Sequence, residues 1–351
     1  MKEKQGDAQK FISFTNKLPD CCQGYLLTGL SENTLTTKIA YARDILYFME
    51  FSINYYPYYS DKTVKEITFD DLAKITAEDI NVYLFHMKDS GLGEKSRARK
   101  KSAISAMFNY MINAQRKLKY NPVAGSTKIR LPEKDFVIYL TMEEQERLLN
   151  TVQTGYGLSQ GQLKYHKKYA KRDLAVIYLF LDTGLRVSEL SSINVKDLSL
   201  DDYTVIVSRK GRNKVQMIYY SDESAEYLKD YLDERKYRGD VFHREEPLFV
   251  TLEGARLSVR EIQAMVKKYV NAALPDKGYS ISPHKLRSSF AMEFYRNSDK
   301  DILTLQKRMG HKSILATNIY AKAVEAEERE TRNWRKAPKI KEKRKRTNNS
   351  F

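Results

Sequence analysis

Between Arg186 and Tyr320 the chain carries an ordered series of residue types that makes sense only if distant segments fold together. Arg186 lies in Thr-Gly-Leu-Arg-Val-Ser-Glu-Leu (183–190) and Lys210 in Arg-Lys-Gly-Arg-Asn-Lys (209–214). His284 and Arg287 share Ser-Pro-His-Lys-Leu-Arg (282–287); Gly310-His311 follows, and Tyr320 closes the series. Guanidinium, ammonium and imidazole groups hold a phosphodiester, and a phenol hydroxyl can attack one. Such a set requires a folded domain.

Local signals place these segments on elements. Thr141 with Glu144 forms a capping box that opens a helix. Asp173 to Leu181 is strongly apolar and stops at Gly184. Two β-rich runs, Tyr203–Ser208 and Val215–Tyr220, flank Lys210, so that turn is expected at the tip of a β-hairpin. Ser282 as N-cap and Pro283 at the first helical position begin another helix, which puts His284 and Arg287 on one side of its first turns. Free backbone N–H groups there favour a phosphate. Ile302, Leu305 and Met309 mark one more helix, ended by Gly310, and Ser313 is expected to cap the short helix that carries Tyr320.

Nearer the N-terminus, Leu35, Ile39, Ala42, Leu46 and Met49 recur at helical spacing. Ile75 to Met87 and Ser96 to Arg116 predict two further helices, separated by Gly91 and Gly93. Residues 1–30 show no clear period. With 351 residues, two domains are the default expectation. The aromatic loop Asn-Tyr-Tyr-Pro-Tyr-Tyr-Ser-Asp-Lys (54–62) has no assigned role.

The phrase Gly-His-Lys-Ser-Ile-Leu-Ala-Thr-Asn-Ile-Tyr (310–320) matches a G-H-x-S-I-x-x-T-x-x-Y pattern. With the arginine, lysine and histidine segments before it, the chain resembles the tyrosine recombinase (phage integrase) family over most of its length. Glu-Asn-Thr-Leu (32–35), Ile-Thr-Ala-Glu-Asp-Ile (75–80) and Asn-Pro-Val (121–123) are similar to that family's helical core-binding domain. The fold so implied is mainly α, with a small antiparallel β-sheet in the catalytic domain, and the whole is a two-domain DNA clamp. The divisions expected are a flexible arm (1–24), a helical core-binding, SAM-like domain (25–120), a linker (121–137), a catalytic domain (138–335) and a basic tail (336–351).

The resemblance also implies roles. Arg186 and Arg287 clamp the scissile phosphate, where planar, permanently charged groups stabilise the charge that builds during attack. Glu189, one turn past Arg186, orients it. His284 and His311 hydrogen-bond the phosphate or assist Tyr320, the nucleophile. A free phenol has a pKa near 10, so only about 0.1% is ionised at pH 7 and the surrounding cations must favour the phenolate. On residue type alone, Lys210 and Lys214 both suit protonation of the leaving 5′ oxygen. The family pattern, with the acid just before a glycine, favours Lys210-Gly211 and leaves Arg209, Arg212 and Lys214 as solvated hairpin charges. Ser288 stands where many family members have histidine, a position assigned to helix packing.

Charge points to the same class of partner. The chain has 61 basic and 45 acidic residues, a net +16, and its body is basic even without the tail. Double-stranded DNA is the expected partner. Arg97, Arg99, Lys100 and Lys101, crowded at one helix start, are candidates to grip its phosphates. No apolar run of membrane-spanning length and no signal-peptide pattern is present, and the expected location is cytoplasmic. The adjacent Cys21 and Cys22 lack metal-ligand spacing, and no Walker loop or metal cluster is visible, so no cofactor and no metal are expected. The expected activity is site-specific recombination through a 3′-phosphotyrosyl intermediate. A homotetramer would act on two paired sites, with a possible DNA-bending or excision factor, to integrate or excise a mobile element. A type IB topoisomerase and a non-catalytic architectural protein are the rivals.

Overall fold

The computed structural model describes residues 2–331 apart from Ser60, 132–135, 210–213, 241–242, Arg244 and Tyr279, with backbone alone at 2–5, 214 and 330–331. The chain divides into two compact units, Met1–Glu133 and Lys134–Phe351.

Unit 1 is helical: α1 (Lys2–Lys17), α2 (Asp20–Gly24), α3 (Leu35–Tyr55), α4 (Phe69–Ala73), α5 (Ala77–Asp89) and α6 (Glu94–Asn113). Three threonines start its middle elements. Thr34 caps α3 by accepting from the Thr37 N–H, and Thr68 and Thr76 form capping boxes with Asp71 and Asp79. The core joins Ile45, Phe48 and Met49 of α3 to Tyr83 of α5 and to Ile104, Met107 and Phe108 of α6.

The expected flexible arm, 1–24, is instead folded onto this core over its described residues, 2–24. Helix α1 packs along α3. Phe11 and Phe14 lean on the cluster, while Leu18, Cys21 and Cys22 are buried in it. The spacing of Phe11, Phe14 and Leu18 is helical, but lysines and glutamines dilute it in the sequence. The aromatic loop is also structural. Tyr56 donates to the Asp79 carbonyl, Tyr58 to the Asp79 carboxylate and Tyr59 to the Asp71 carbonyl, so the loop fastens α3 to α4 and α5. Residues 121–127 stay attached to unit 1, with Val123 in its core and Asn121 bonded to Ser105 and Asn109.

Unit 2 contains α7 (Met142–Thr154), α8 (Gln160–Thr183), α9 (Val187–Ser192), β1 (Leu198–Ser199), β2 (Thr204–Arg209), β3 (Lys214–Tyr219), α10 (Asp222–Tyr237), α11 (Val259–Ala273), α12 (Pro283–Asn297), α13 (Ile302–Met309) and α14 (Asn318–Thr331). Helix α8 is the central element. Its Val176, Ile177, Leu179 and Phe180 are buried in the core, and the helix packs against α7, α10 and α12. The three strands form one antiparallel sheet in the order β1-β2-β3, with Thr204 opposite Tyr219 and Arg209 opposite Lys214. The short β1 adds an edge strand to the expected hairpin.

Three details position the site. Gly184 ends α8 in the left-handed region (φ +61°), and an added Cβ would lie 2.3 Å from the Phe290 ring, so the turn into Arg186 needs glycine. Gly310 ends α13 the same way (φ +58°). Ser313 caps only a 3₁₀ turn, Ile314–Ala316, and Tyr320 lies on the separate helix α14.

Candidate active site

Arg186, Arg287 and Glu189 meet at the junction of α8, α9 and α12. Glu189 closes the first turn of α9: its carboxylate accepts from the Arg186 backbone N–H at 2.8 Å and from Arg186 Nη1 at 2.7 Å. The same carboxylate stands 3.9 Å from Arg287 Nη1 and 3.7 Å from Arg209 Nε. Three guanidiniums therefore share one buried acid.

The arginines also cap the C-terminal end of α13. Arg209 Nη2 donates to the Arg308 carbonyl at 2.7 Å, Arg287 Nη2 to the Met309 carbonyl and Arg186 Nη2 to the Gly310 carbonyl at 3.3 Å. Gln216, on β3, donates to the Lys307 carbonyl. Four consecutive carbonyls at the negative end of a helix thus hold both strands of the hairpin and both expected clamp arginines. Arg287 makes a further bond to the Gly184 carbonyl. Burial, then the charge of Arg186, lowers its pKa to about 10, so it stays cationic at neutral pH.

Tyr320 is 2% exposed and packs among Phe290, Met292, Leu305 and Met309. Burial raises its hydroxyl above the ordinary phenol range, while the Ser288 hydroxyl and the charge of Arg287 act the other way. Ser288 donates to the His284 carbonyl, so it links the nucleophile candidate to the first turn of α12. The sequence assigned Ser288 to packing. The fold puts it beside the phenol because Arg287 and Ser288 both face inward from α12, where both are buried.

His311 Nδ1 lies 2.9 Å from Thr317 Oγ1. Thr317 is fully buried and fixes the ring, a role its place in the 310–320 phrase could have suggested. Burial, then Arg287, Arg186, Arg209 and His284, pushes the His311 pKa down to about 4, so it is neutral at pH 7. His284 is exposed on the first turn of α12 and near enough to disfavour charge on His311. Lys210 lies outside the described residues. The strands on either side bring the hairpin stem to the α13 terminus, and Arg209, expected as a solvated charge, is largely withdrawn from solvent there.

A model of the phage integrase family matches residues 139–327, which hold every one of these groups. Tyrosine recombinase XerC of Caldanaerobacter subterraneus subsp. tengcongensis is 33% identical over 317 residues, covering 88% of this chain and 84% of the relative. The chain belongs to the phage integrase family. Tyrosine recombinase XerD of Oceanobacillus iheyensis is 32% identical over 301 residues, or 85% of this chain and 90% of that protein. Among solved structures, the Tn1549 transposon integrase in complex with transposon right end DNA shares the fold, with a TM-score of 0.62 at 20% identity over 88% of this chain and 98% of that one. XerH bound to palindromic difH substrate gives 0.61 at 21% identity, over 90% and 82%. The enzyme is a tyrosine-type site-specific recombinase, mainly helical with a small antiparallel sheet.

The four candidate DNA contacts of this recombinase's unit 1 are engaged internally. Lys100 is 9% exposed, pairs with fully buried Asp44 at 3.2 Å and stands over the Tyr47 ring at 4.0 Å. Arg99 binds the same carboxylate, and Lys101 donates to the carbonyls of Ser126 and Thr127. Arg97 pairs with Glu94 through Nη2, while its Nε is buried without a hydrogen-bond partner among the described residues. A row of cations at one helix start looks like a phosphate grip in sequence, yet α6 turns several of these side chains toward α3 and the segment after it. Among the described residues no helix is long and apolar enough to cross a membrane.

Proposed function

We propose that the recombinase cleaves and rejoins duplex DNA through a 3′-phosphotyrosyl link on Tyr320. The observation that carries this reading is the buried phenol in the electrostatic reach of Arg287, which with Arg186 shares the Glu189 carboxylate. Tyr320 Oη forms a bond to phosphorus while the bond from phosphorus to O5′ breaks. The phenol proton passes to a neutral imidazole, and His311 has the protonation state for that task. Lys210 supplies the proton that O5′ takes up. Arg186 and Arg287 oppose the charge that accumulates on the non-bridging oxygens, and His284 donates to one of them. The new ester conserves the phosphodiester's energy, so a 5′ hydroxyl from another strand reverses the step.

A nicked duplex, whose short fragment diffuses away after cleavage, traps the intermediate. Wild-type protein accumulates a covalent adduct that mass spectrometry places on Tyr320 through a 3′ phosphate; Tyr320→Phe binds the same DNA and forms none. An adduct on another tyrosine, or a 5′ linkage, overturns the reading. Lys210→Ala should regain cleavage on a 5′-thio leaving group, which needs no acid, and rescue of Lys214→Ala instead would move the acid there.

The family resemblance carries the wider reading: a homotetramer on two paired sites, the two units clamping each duplex, an accessory bending or excision factor, and integration or excision of a mobile element. Exchange between two site-bearing duplexes, with a tetrameric complex in solution, supports it. Relaxation of any supercoiled plasmid by monomer, without exchange, favours the topoisomerase alternative. Terminal repeats around the gene would identify the element, and sites confined to a locus without one would remove the mobile-element reading.

A further inference from the structure

We infer that Arg209 is a third guanidinium acting on the scissile phosphate, beside Arg186 and Arg287. The inference rests on the phosphotyrosyl reading above. Arg209 ends β2, opposite Lys214 of β3, and its side chain is only 11% exposed. One arm donates to the Arg308 carbonyl. Nε and Nη1 are buried without a hydrogen-bond partner among the described residues, and Nε reaches Glu189 only at 3.7 Å. Buried donors are almost always satisfied in folded proteins, so two idle ones on a single guanidinium beside two phosphate-clamp candidates point to an acceptor that arrives with the substrate.

Room has been made for this group. A Cβ on Gly310 would fall 1.2 Å from Arg209 Nη1, so the glycine before His311 serves the guanidinium as well as the left-handed backbone. Burial lowers the Arg209 pKa, and Arg186 lowers it further against the favourable pull of Glu189. The charge lies in reach of both Arg287 and His311.

Charge matching gives the reason for a third arginine. Attack by a phenolate on a phosphodiester monoanion produces a phosphorane with two negative charges. Arg186 and Arg287 against Glu189 leave one uncompensated positive charge among these groups; Arg209 brings the second. The site so composed matches the transition state more closely than the bound diester, which is the condition for lowering the barrier.

The test compares substrates as well as proteins. Full-length wild type, Arg209→Gln and Arg209→Lys are given nicked duplexes with either the ordinary phosphodiester or a neutral methylphosphonate at the scissile position. Single-turnover adduct formation is followed at saturating DNA. On the phosphodiester, Arg209→Gln should be slowed roughly 100-fold, the loss typical of one transition-state donor. On one methylphosphonate diastereomer, where a negative charge has been removed, the deficit should largely vanish. Arg209→Lys, which keeps the charge and a milder perturbation, should show a smaller deficit with the same substrate dependence. An equal deficit on both substrates would mean that Arg209 only holds the α13 terminus in place, and no deficit would mean that it is inert; either result overturns the inference. Wild-type adduct on Tyr320 keeps the parent reading intact whatever Arg209 does, whereas its absence removes that reading.

Discussion

Asp44 in unit 1 and Glu189 in unit 2 are both buried carboxylates that collect cations, and they differ in what is left over. Asp44 faces Arg99 and Lys100, neighbours on one helix, and Lys100 is further covered by the Tyr47 ring. No buried donor of those two side chains lacks a partner. Glu189 faces Arg186, Arg209 and Arg287, which come from three separate elements, and Arg209 keeps two unpartnered donors. The first arrangement fastens α6 to α3. Cations outnumber the acid in both, by one at Asp44 and by two at Glu189, but only at Glu189 do buried guanidinium donors remain for a further anion. A charged cluster is therefore informative through its deficit of partners, not its density in sequence.

Removing a cation from each cluster should separate them most sharply. Arg287→Ala should lower cleavage by roughly 100- to 1000-fold, because it deletes charge stabilisation at the reacting phosphate. Lys100→Met, which retains packing against Tyr47, should cleave normally at saturating DNA. The comparison breaks if Lys100→Met instead weakens binding to the site and reduces the slope of affinity against salt by about one ion, the signature of a lost phosphate contact.

Removing the acids is the next test. Asp44→Asn and Glu189→Gln should each destabilise the free protein, by at most about 3–5 kcal/mol, since the cations around each acid lose their counter-charge. Duplex DNA carrying the recombination site should restore the melting temperature of Glu189→Gln more than that of Asp44→Asn, because its phosphates supply the missing charge only in unit 2. Equal recovery of the two variants would show that the clusters do not differ in this way.

The clusters also show what the sequence can and cannot disclose. Capping residues were legible because their chemistry is local: Thr141, Gly184 and Gly310 bound their helices where expected. The β-hairpin was legible from its alternation. Helix α1 was not, because three apolar residues among lysines carry little periodic signal until α3 is present to cover them. The gathering of Arg186, Glu189 and Arg287 follows a pattern seen in the whole chain. Arg209 escaped because residue type and hairpin position suggest solvent, and only the tertiary approach of α13 buries it. Lys100 shows the converse, since four cations within five residues do not reveal that Asp44, far off in sequence, pairs with two of them.

A smaller effect is expected from His311. Its pKa falls from 6.5 to about 4 on folding, so between those values the unfolded chain binds a proton that the native protein does not. Stability from this group is complete above about pH 6.5 and declines as pH falls through that window. His311→Gln should flatten this part of the stability profile, measured by chemical denaturation from pH 7 to pH 4.5. Asp44 offers no imidazole, so the part of the slope that His311→Gln removes should belong to unit 2. An unchanged profile in the variant would mean that another group carries the dependence.

The smallest effect concerns Ser288, whose hydroxyl lies against the Tyr320 phenol and donates to the His284 carbonyl. Burial disfavours the phenolate, and Ser288 and Arg287 are the groups that counter it. Ser288→Ala removes one of these and leaves both charge clusters untouched. The phenol's pKa should rise further, and cleavage at pH 7 should slow about two- to tenfold, the equivalent of one hydrogen bond. Because the loss reflects a smaller ionised fraction, it should shrink as pH rises toward the range in which the phenol ionises. A merely structural defect would persist at every pH. A deficit that stays undiminished above pH 10, where the phenol begins to ionise, would therefore assign Ser288 to helix packing, as its position after Arg287 first suggested, and would leave Arg287 as the principal group that favours the nucleophile.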